Sequence, residues 1–199
     1  MPTANVAAVL VRCSGRTVAA TRPPRTASRL ATVRRRPGDL PPVQTHIAEE
    51  RVLSTMTRVR TTHTPDGRRI EVSHVFTAPA ADAWEALVDT TRWPAWSPIV
   101  IGVESTDRRI QPDTTGRIRV PGAWVPFRIT SRTERRWTWR VSGIPAAGHR
   151  VDDLGEGRCR VAFELPLHGT GYVPICLRAL ENLETVLEGD QARTEPSAA

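Results

Sequence analysis

The sequence predicts an α+β fold: a curved antiparallel sheet of about seven strands wrapped around one long C-terminal helix, with two short helices after the first strand. Three observations predict it. Between Arg68 and Pro166 several stretches alternate apolar and polar residues, the period-two signature of strands with one face on a core. Turn residues separate these stretches, most clearly "GEG" from Gly155 to Gly157. The final segment then switches to the 3.6-residue period of an amphipathic helix.

The first strand is "RRIEVSHVF", with Ile70, Val72, His74 and Phe76 on one face and Arg69, Glu71 and Ser73 on the other. Pro79 stands where a helix starts, and "AADAWEALVD" places Ala83, Trp84, Leu87 and Val88 on one helical face. The segment "TTRWPAWSP" (Thr90 to Pro98) follows, and its prolines allow only one short helical turn. "IVIGVES" and "GRIRV" resume as strands, then "VPFRITSRTERR", in which Val125, Phe127 and Ile129 share a face. "RWTWRVSG" sets Trp137, Trp139 and Val141 against Arg136, Thr138 and Arg140. "GHRVDDL" and "RCRVAFELP" form a hairpin across the glycines, with Cys159, Val161, Phe163 and Leu165 inward and Arg158, Arg160 and Glu164 outward. Such alternation predicts one solvated sheet face. The last helix, in "GYVPICLRALENLETVLEGD", repeats Tyr172, Cys176, Ala179, Leu180, Leu183, Val186 and Leu187 at helical spacing, and Gly189 offers a stop. Its apolar stripe must lie on the sheet.

Composition divides the chain in two. Residues 1–55 hold nine arginines, three acids and no aromatic residue, so they predict a disordered basic tail. Met56, the only methionine besides Met1, suggests a translation start there. Residues 56–190 make the domain, and 191–199 a disordered end. From residue 56 onward nineteen arginines face eighteen acids, a balance that argues against a nucleic-acid partner for the domain. All 28 basic residues are arginine, a compositional bias before it is a functional one. No apolar run reaches the roughly 20 residues of a membrane-spanning helix. The three cysteines fit neither a disulfide framework nor a zinc site; with no leader segment evident, they predict a cytoplasmic, reducing setting.

The stretch "VSHVFTAPAADAWEALVDTTRWPAWSPIVIGVES" (Val72 to Ser105), the closing "GRCRVAFELPL" and the terminal helix together resemble the START-like, or SRPBCC, superfamily. The resemblance runs from about Arg68 to Glu188. It implies the helix-grip fold, with a cavity between sheet and terminal helix. It also implies the functions that superfamily spans: polyketide cyclases and dehydratases, lipid carriers, and domains that bind other proteins.

No nucleophile elbow, HExxH, phosphate loop or dinucleotide fingerprint occurs. The residues call for no metal and no cofactor, and name no catalytic residue. Candidate ligand contacts are the inward histidines His74 and His149, the aromatic side chains Trp96, Phe127 and Trp139, and Tyr172 at the start of the last helix. Imidazole can hold a ligand carbonyl or move a proton, and the tryptophans of "RWTWRVSG" supply an aromatic wall. The expected function is binding or carriage of a hydrophobic molecule of lipid, polyketide or isoprenoid type. A polyketide cyclase or dehydratase, using His149 and His74, is the alternative, and a protein-interaction module the second. Trp93 and Trp96 are expected first as core plugs, with Trp96 the better placed to touch a ligand.

Overall fold

The computed structural model describes residues 57–194; the expected tail and the start at Met56 lie outside the described residues. In chain order the elements are β1 (Arg58–Thr64), β2 (Gly67–Phe76), α1 (Ala80–Val88), a 3-10 turn (Thr90–Arg92), α2 (Trp93–Trp96), β3 (Gly102–Ser105), β4 (Thr115–Val120), β5 (Ala123–Arg132), β6 (Arg136–Val141), β7 (Ile144–Pro145), β8 (Gly148–Gly155), β9 (Arg158–Pro166), a second 3-10 turn (Leu167–Tyr172) and α3 (Val173–Thr194). The strands form one curved antiparallel sheet in the order β1-β2-β9-β8-β6-β5-β4-β3, with β7 folded onto β6. Helix α3 packs against β2, β9, α1 and α2. The helix-grip α+β architecture is thus present.

Two strands exceed the expected seven. β1, "RVRTTHT", pairs with β2 from Arg58↔Ser73 to Thr64↔Gly67. It is an edge strand with mostly exposed side chains and carries no apolar alternation to read. β7 is only two residues long. Helix α3 also runs through Gly189 to Thr194, past the expected stop and into the segment expected to be disordered. Tertiary partners extend it: Arg92 pairs with Asp190, and the Gln191 side chain donates to the Thr77 carbonyl at 3.1 Å.

The strand faces follow the alternation, but the outer face is not simply wet. Glu71, Ser73 and Glu164 point outward and are nevertheless buried. Glu71 and Glu164 sit directly opposite each other on β2 and β9, an arrangement that like charges alone would destabilise. Arg150 bridges them, at 2.8 Å to Glu71 and 3.2 Å to Glu164. Arg60 closes on Glu71 at 2.9 Å and Arg136 on Glu164 at 2.8 Å. Burial alone would raise the Glu71 carboxyl; Arg60, Arg150 and Ser73 together hold it below its ordinary value.

The "TTRWPAWSP" segment is explained by helix α1. The last four carbonyls of a helix lack internal partners. Here Glu85 O accepts from the Asp89 amide (3.1 Å) and Val88 O from the Ile110 amide (3.0 Å). The Ala86 carbonyl accepts from Trp96 Nε1, and the Leu87 carbonyl from Trp93 Nε1, each at 2.9 Å. The two indoles, both buried, cap the helix and plug the core in one stroke. The prolines stop α2 after a single turn, placing both rings under α1.

Candidate aromatic site on the inner face

The inner face of β5, β6, β8 and β9 carries a continuous stack of rings. Trp137 and His149 are cross-strand partners on β6 and β8, and their rings stack at 3.8 Å between centroids, only 4° from parallel. Trp93 stacks on the same Trp137 at 5.6 Å and 2°. Trp139 stands edge-on to Trp93, Phe127, Trp137 and His149 at 5.5 to 6.0 Å. Trp96 touches His149 and Phe163 at 6.1 and 6.0 Å. Such pairs contribute about 0.5–1.5 kcal/mol each beyond their burial.

The cluster has an unusual polar account. The ring nitrogens Trp137 Nε1, Trp139 Nε1 and His149 Nδ1 are buried without a hydrogen-bond partner. An indole N–H can only donate, and leaving a buried donor unpaired costs about 1–3 kcal/mol. Burial pushes the His149 imidazole down to about 3, and the Ala147 carbonyl only partly opposes it. His149 is therefore neutral at physiological pH, one nitrogen a donor and the other an acceptor.

Four expected contacts, Trp96, Phe127, Trp139 and His149, come together in this cluster. His74 does not join it. It sits two residues along and two strands away, roughly 12 Å from His149 by strand spacing. Its ring meets Phe76 edge-on at 4.8 Å. Nδ1 shares a hydrogen bond with the Thr57 hydroxyl at 2.6 Å, and Nε2 lies 3.4 Å from the Glu184 carboxylate. His74 thus ties the residue before β1 to β2 through Thr57 and faces Glu184 of helix α3. Tyr172, half-buried at the end of the second 3-10 turn, makes no ring contact with the cluster, and burial raises its phenol. Trp93, Trp137 and Phe163 are members that the candidate set lacked. The alternation on β9 places Phe163 inward, but nothing local puts Trp93 against Trp137.

These rings occupy the inner face where the cavity is expected. Two clefts lie outside the core: one of about 320 Å³ among Asp66, Arg69, Arg136, Thr138 and Arg140, and a shallow one beside Glu104, Thr115 and Arg117. Cys159 and Cys176 are buried and hold their protons, their thiols pushed up to about 11 and about 12 by burial. Among the described residues no three histidine, cysteine or acidic side chains gather as a metal site.

A curved antiparallel sheet closed by a terminal helix, with ring donors on its inner face, defines a START-like domain. The chain belongs to the family described as polyketide cyclase / dehydrase and lipid transport, whose sequence pattern it matches over residues 67–192. Membership supplies a fold built to bind hydrophobic ligands. Among solved structures the chain is similar to CalU16 from Micromonospora echinospora, at 20% identity over 67% of this chain and 75% of that one, with a TM-score of 0.46. It is also similar to a protein from Arthrobacter aurescens (13% identity, 65% and 91% covered, TM-score 0.47) and to Ms6760 from Mycobacterium smegmatis (15% identity, 67% and 99% covered, TM-score 0.47). No curated protein matches the sequence.

Proposed function

We propose that the protein binds a hydrophobic small molecule bearing oxygen acceptors, of polyketide, isoprenoid or lipid type, against the Trp137–Trp139–His149 wall. One observation carries the reading: two touching indoles, Trp137 and Trp139, hold buried N–H groups with no hydrogen-bond partner, beside a His149 imidazole whose Nδ1 makes no well-formed hydrogen bond. A ligand carbonyl or hydroxyl would satisfy them, recovering a penalty that the empty fold carries. The rings must part to admit it. The junction that would yield is the β6–β8 pairing, which joins only Arg136↔Arg150 and Trp137↔His149.

Binding is favoured over the cyclase or dehydratase reading by the state of His149. A base with a pKa of about 3 is too weak to abstract a proton efficiently near neutrality, but is well suited to hold a carbonyl. No helix among the described residues is long and apolar enough to cross a membrane. We place the protein in the cytoplasm, with no nucleic-acid partner for the domain, on the two buried reduced thiols and the near-neutral charge of residues 56–199. Full-length protein isolated from its own host under native conditions should carry an organic molecule detectable by native mass spectrometry. Adding that molecule back to stripped protein should change tryptophan emission. A protein that carries nothing, and whose emission is unmoved by polycyclic ketones, isoprenoids and fatty acids, would reject the reading.

A further inference from the structure

The outer face holds a second cleft whose chemistry is the opposite of the inner one. It forms where the sheet divides. After two residue pairs with β8, strand β6 turns instead to β7, pairing Arg140↔Pro145 and Val141↔Ile144. Pro145 brings no N–H to the ladder, and β8 itself begins only at Gly148. The gap, about 320 Å³, is lined by Arg69 of β2, Thr130 and Ser131 of β5, and Arg136, Thr138 and Arg140 of β6. Asp66 and Trp139 border it. That volume suits a small molecule.

The charges within it are not all spent. Arg136 is committed to Glu164 and Asp66, and Glu164 is further held by Arg150. Arg69 and Arg140 have no carboxylate partner among the described residues. Arg69 is half-buried, and Arg140 gives one N–H to the Gly143 carbonyl at 2.8 Å. The hydroxyls of Thr130 and Thr138 bond each other at 2.9 Å, and one of the two therefore has a proton or lone pair left for a ligand. Gly148 keeps the wall open: a Cβ there would come within 3.0 Å of Glu164 Oε2. Two guanidinium groups without a carboxylate partner, beside one hydroxyl with a proton to give, are an oxyanion-recognition set, since planar forks match carboxylate and phosphate oxygens.

We propose that this outer cleft is a binding site for a small oxyanion, a phosphate monoester or carboxylate, held by Arg69 and Arg140 with Thr130 and Thr138. Its polar side chains are not those of the inner aromatic site, with which it shares only Trp139, and it does not depend on a ligand there. Both a free metabolite and a lipid headgroup present this chemistry. Trp139 borders the cleft and serves as its reporter, and all six tryptophans lie between Trp84 and Trp139, none of them in the arginine-rich first quarter of the chain.

The test titrates full-length protein with inorganic phosphate while following the indole N–H resonance of Trp139. In parallel, the protein is tested for binding to phosphatidylcholine vesicles with and without phosphatidic acid. A saturable shift is expected, weakened roughly tenfold or more in R69A/R140A, since hydrogen bonds to charged groups contribute about 1.5–3 kcal/mol each. The thermal midpoint of the double variant should stay near that of the parent, because neither side chain has an ion-pair partner to lose. If the double variant also loses binding to the phosphatidic acid vesicles, the source is a lipid headgroup; if vesicle binding is unchanged, it is a free ligand. No saturable shift with phosphate, or an equal shift in the double variant, overturns the proposal.

Discussion

Asp89 shows how one residue joins local geometry to acid stability. Its carboxylate accepts from the Thr91 amide (3.0 Å), from the Thr91 hydroxyl (2.6 Å) and from both Nε and a terminal nitrogen of Arg108 (3.0 and 2.8 Å). Burial would raise this carboxyl, but Arg108 and Thr91 outweigh it and bring it down to about 2. A folded value below the unfolded one gives stability that is complete above about pH 4 and lost as pH falls toward 2. We expect Asp89→Ala to cost about 2 kcal/mol in urea unfolding at pH 7, with the difference from the parent shrinking across that window. A constant difference down to pH 2 would assign the loss to packing alone. The tryptophans provide a second residue-scale test. Trp96 and Trp93 have bonded N–H groups, whereas that of Trp137 has no partner. Trp96→Phe and Trp137→Phe both shrink a buried ring, but only the first strips a helix carbonyl of its donor. Trp96→Phe should therefore cost about 1–2 kcal/mol more than Trp137→Phe, and equal losses would contradict the capping account.

At the scale of the element, what could be read from the sequence was set by whether an element faces one environment or two. β2, β5, β6 and β9 each lay one face on the core, so alternation placed Val72, Phe127, Trp137 and Phe163 inward from residue types alone. β1 buries neither face well and had no such signature. Helix α3 outran its glycine because Arg92 and Thr77, far away in sequence, hold its last turns. The buried Glu71–Glu164 pair was illegible for a different reason: only the strand order β2-β9-β8-β6 sets the two carboxylates opposite each other and Arg150 across them. In the candidate site the ring types were readable and the missing partners were not, because an unsatisfied nitrogen is a property of the packed interior. Strand β4 offers a check on that packing. A Cβ at Gly116 would lie 2.2 Å from the Glu104 carbonyl oxygen and 2.8 Å from the Phe127 ring. The oxygen belongs to the paired backbone of β3 and cannot step aside without breaking the ladder. Gly116→Ala should cost about 1–3 kcal/mol, read from the thermal or urea midpoint, and a neutral substitution would mean that β3 is not held there.

For the whole molecule, charge is sorted by face: ion pairs cross the outside of the sheet, while the inside keeps its one central imidazole neutral. His149 is surrounded by Trp96, Trp137, Trp139 and Phe163, with only the Ala147 carbonyl to favour its proton. Folding therefore lowers its pKa from an ordinary 6.5 to about 3. Between those values the unfolded chain holds a proton that the native protein does not, so acidification favours unfolding. The contribution of His149 is complete above about pH 6.5, and stability declines by about 1.4 kcal/mol per pH unit as pH falls toward 3. The slope for His149→Phe, which keeps a ring against Trp137, should be shallower by that amount between pH 6 and pH 4. On the proposed reading, ligand binding at the inner site should be flat from pH 7 to pH 8, where the buried imidazole stays neutral. A His149→Phe slope equal to the parent's would mean that this imidazole is hydrated and protonates in place. The rings would then already stand apart in solution, and the ligand would enter an open pocket instead of opening one.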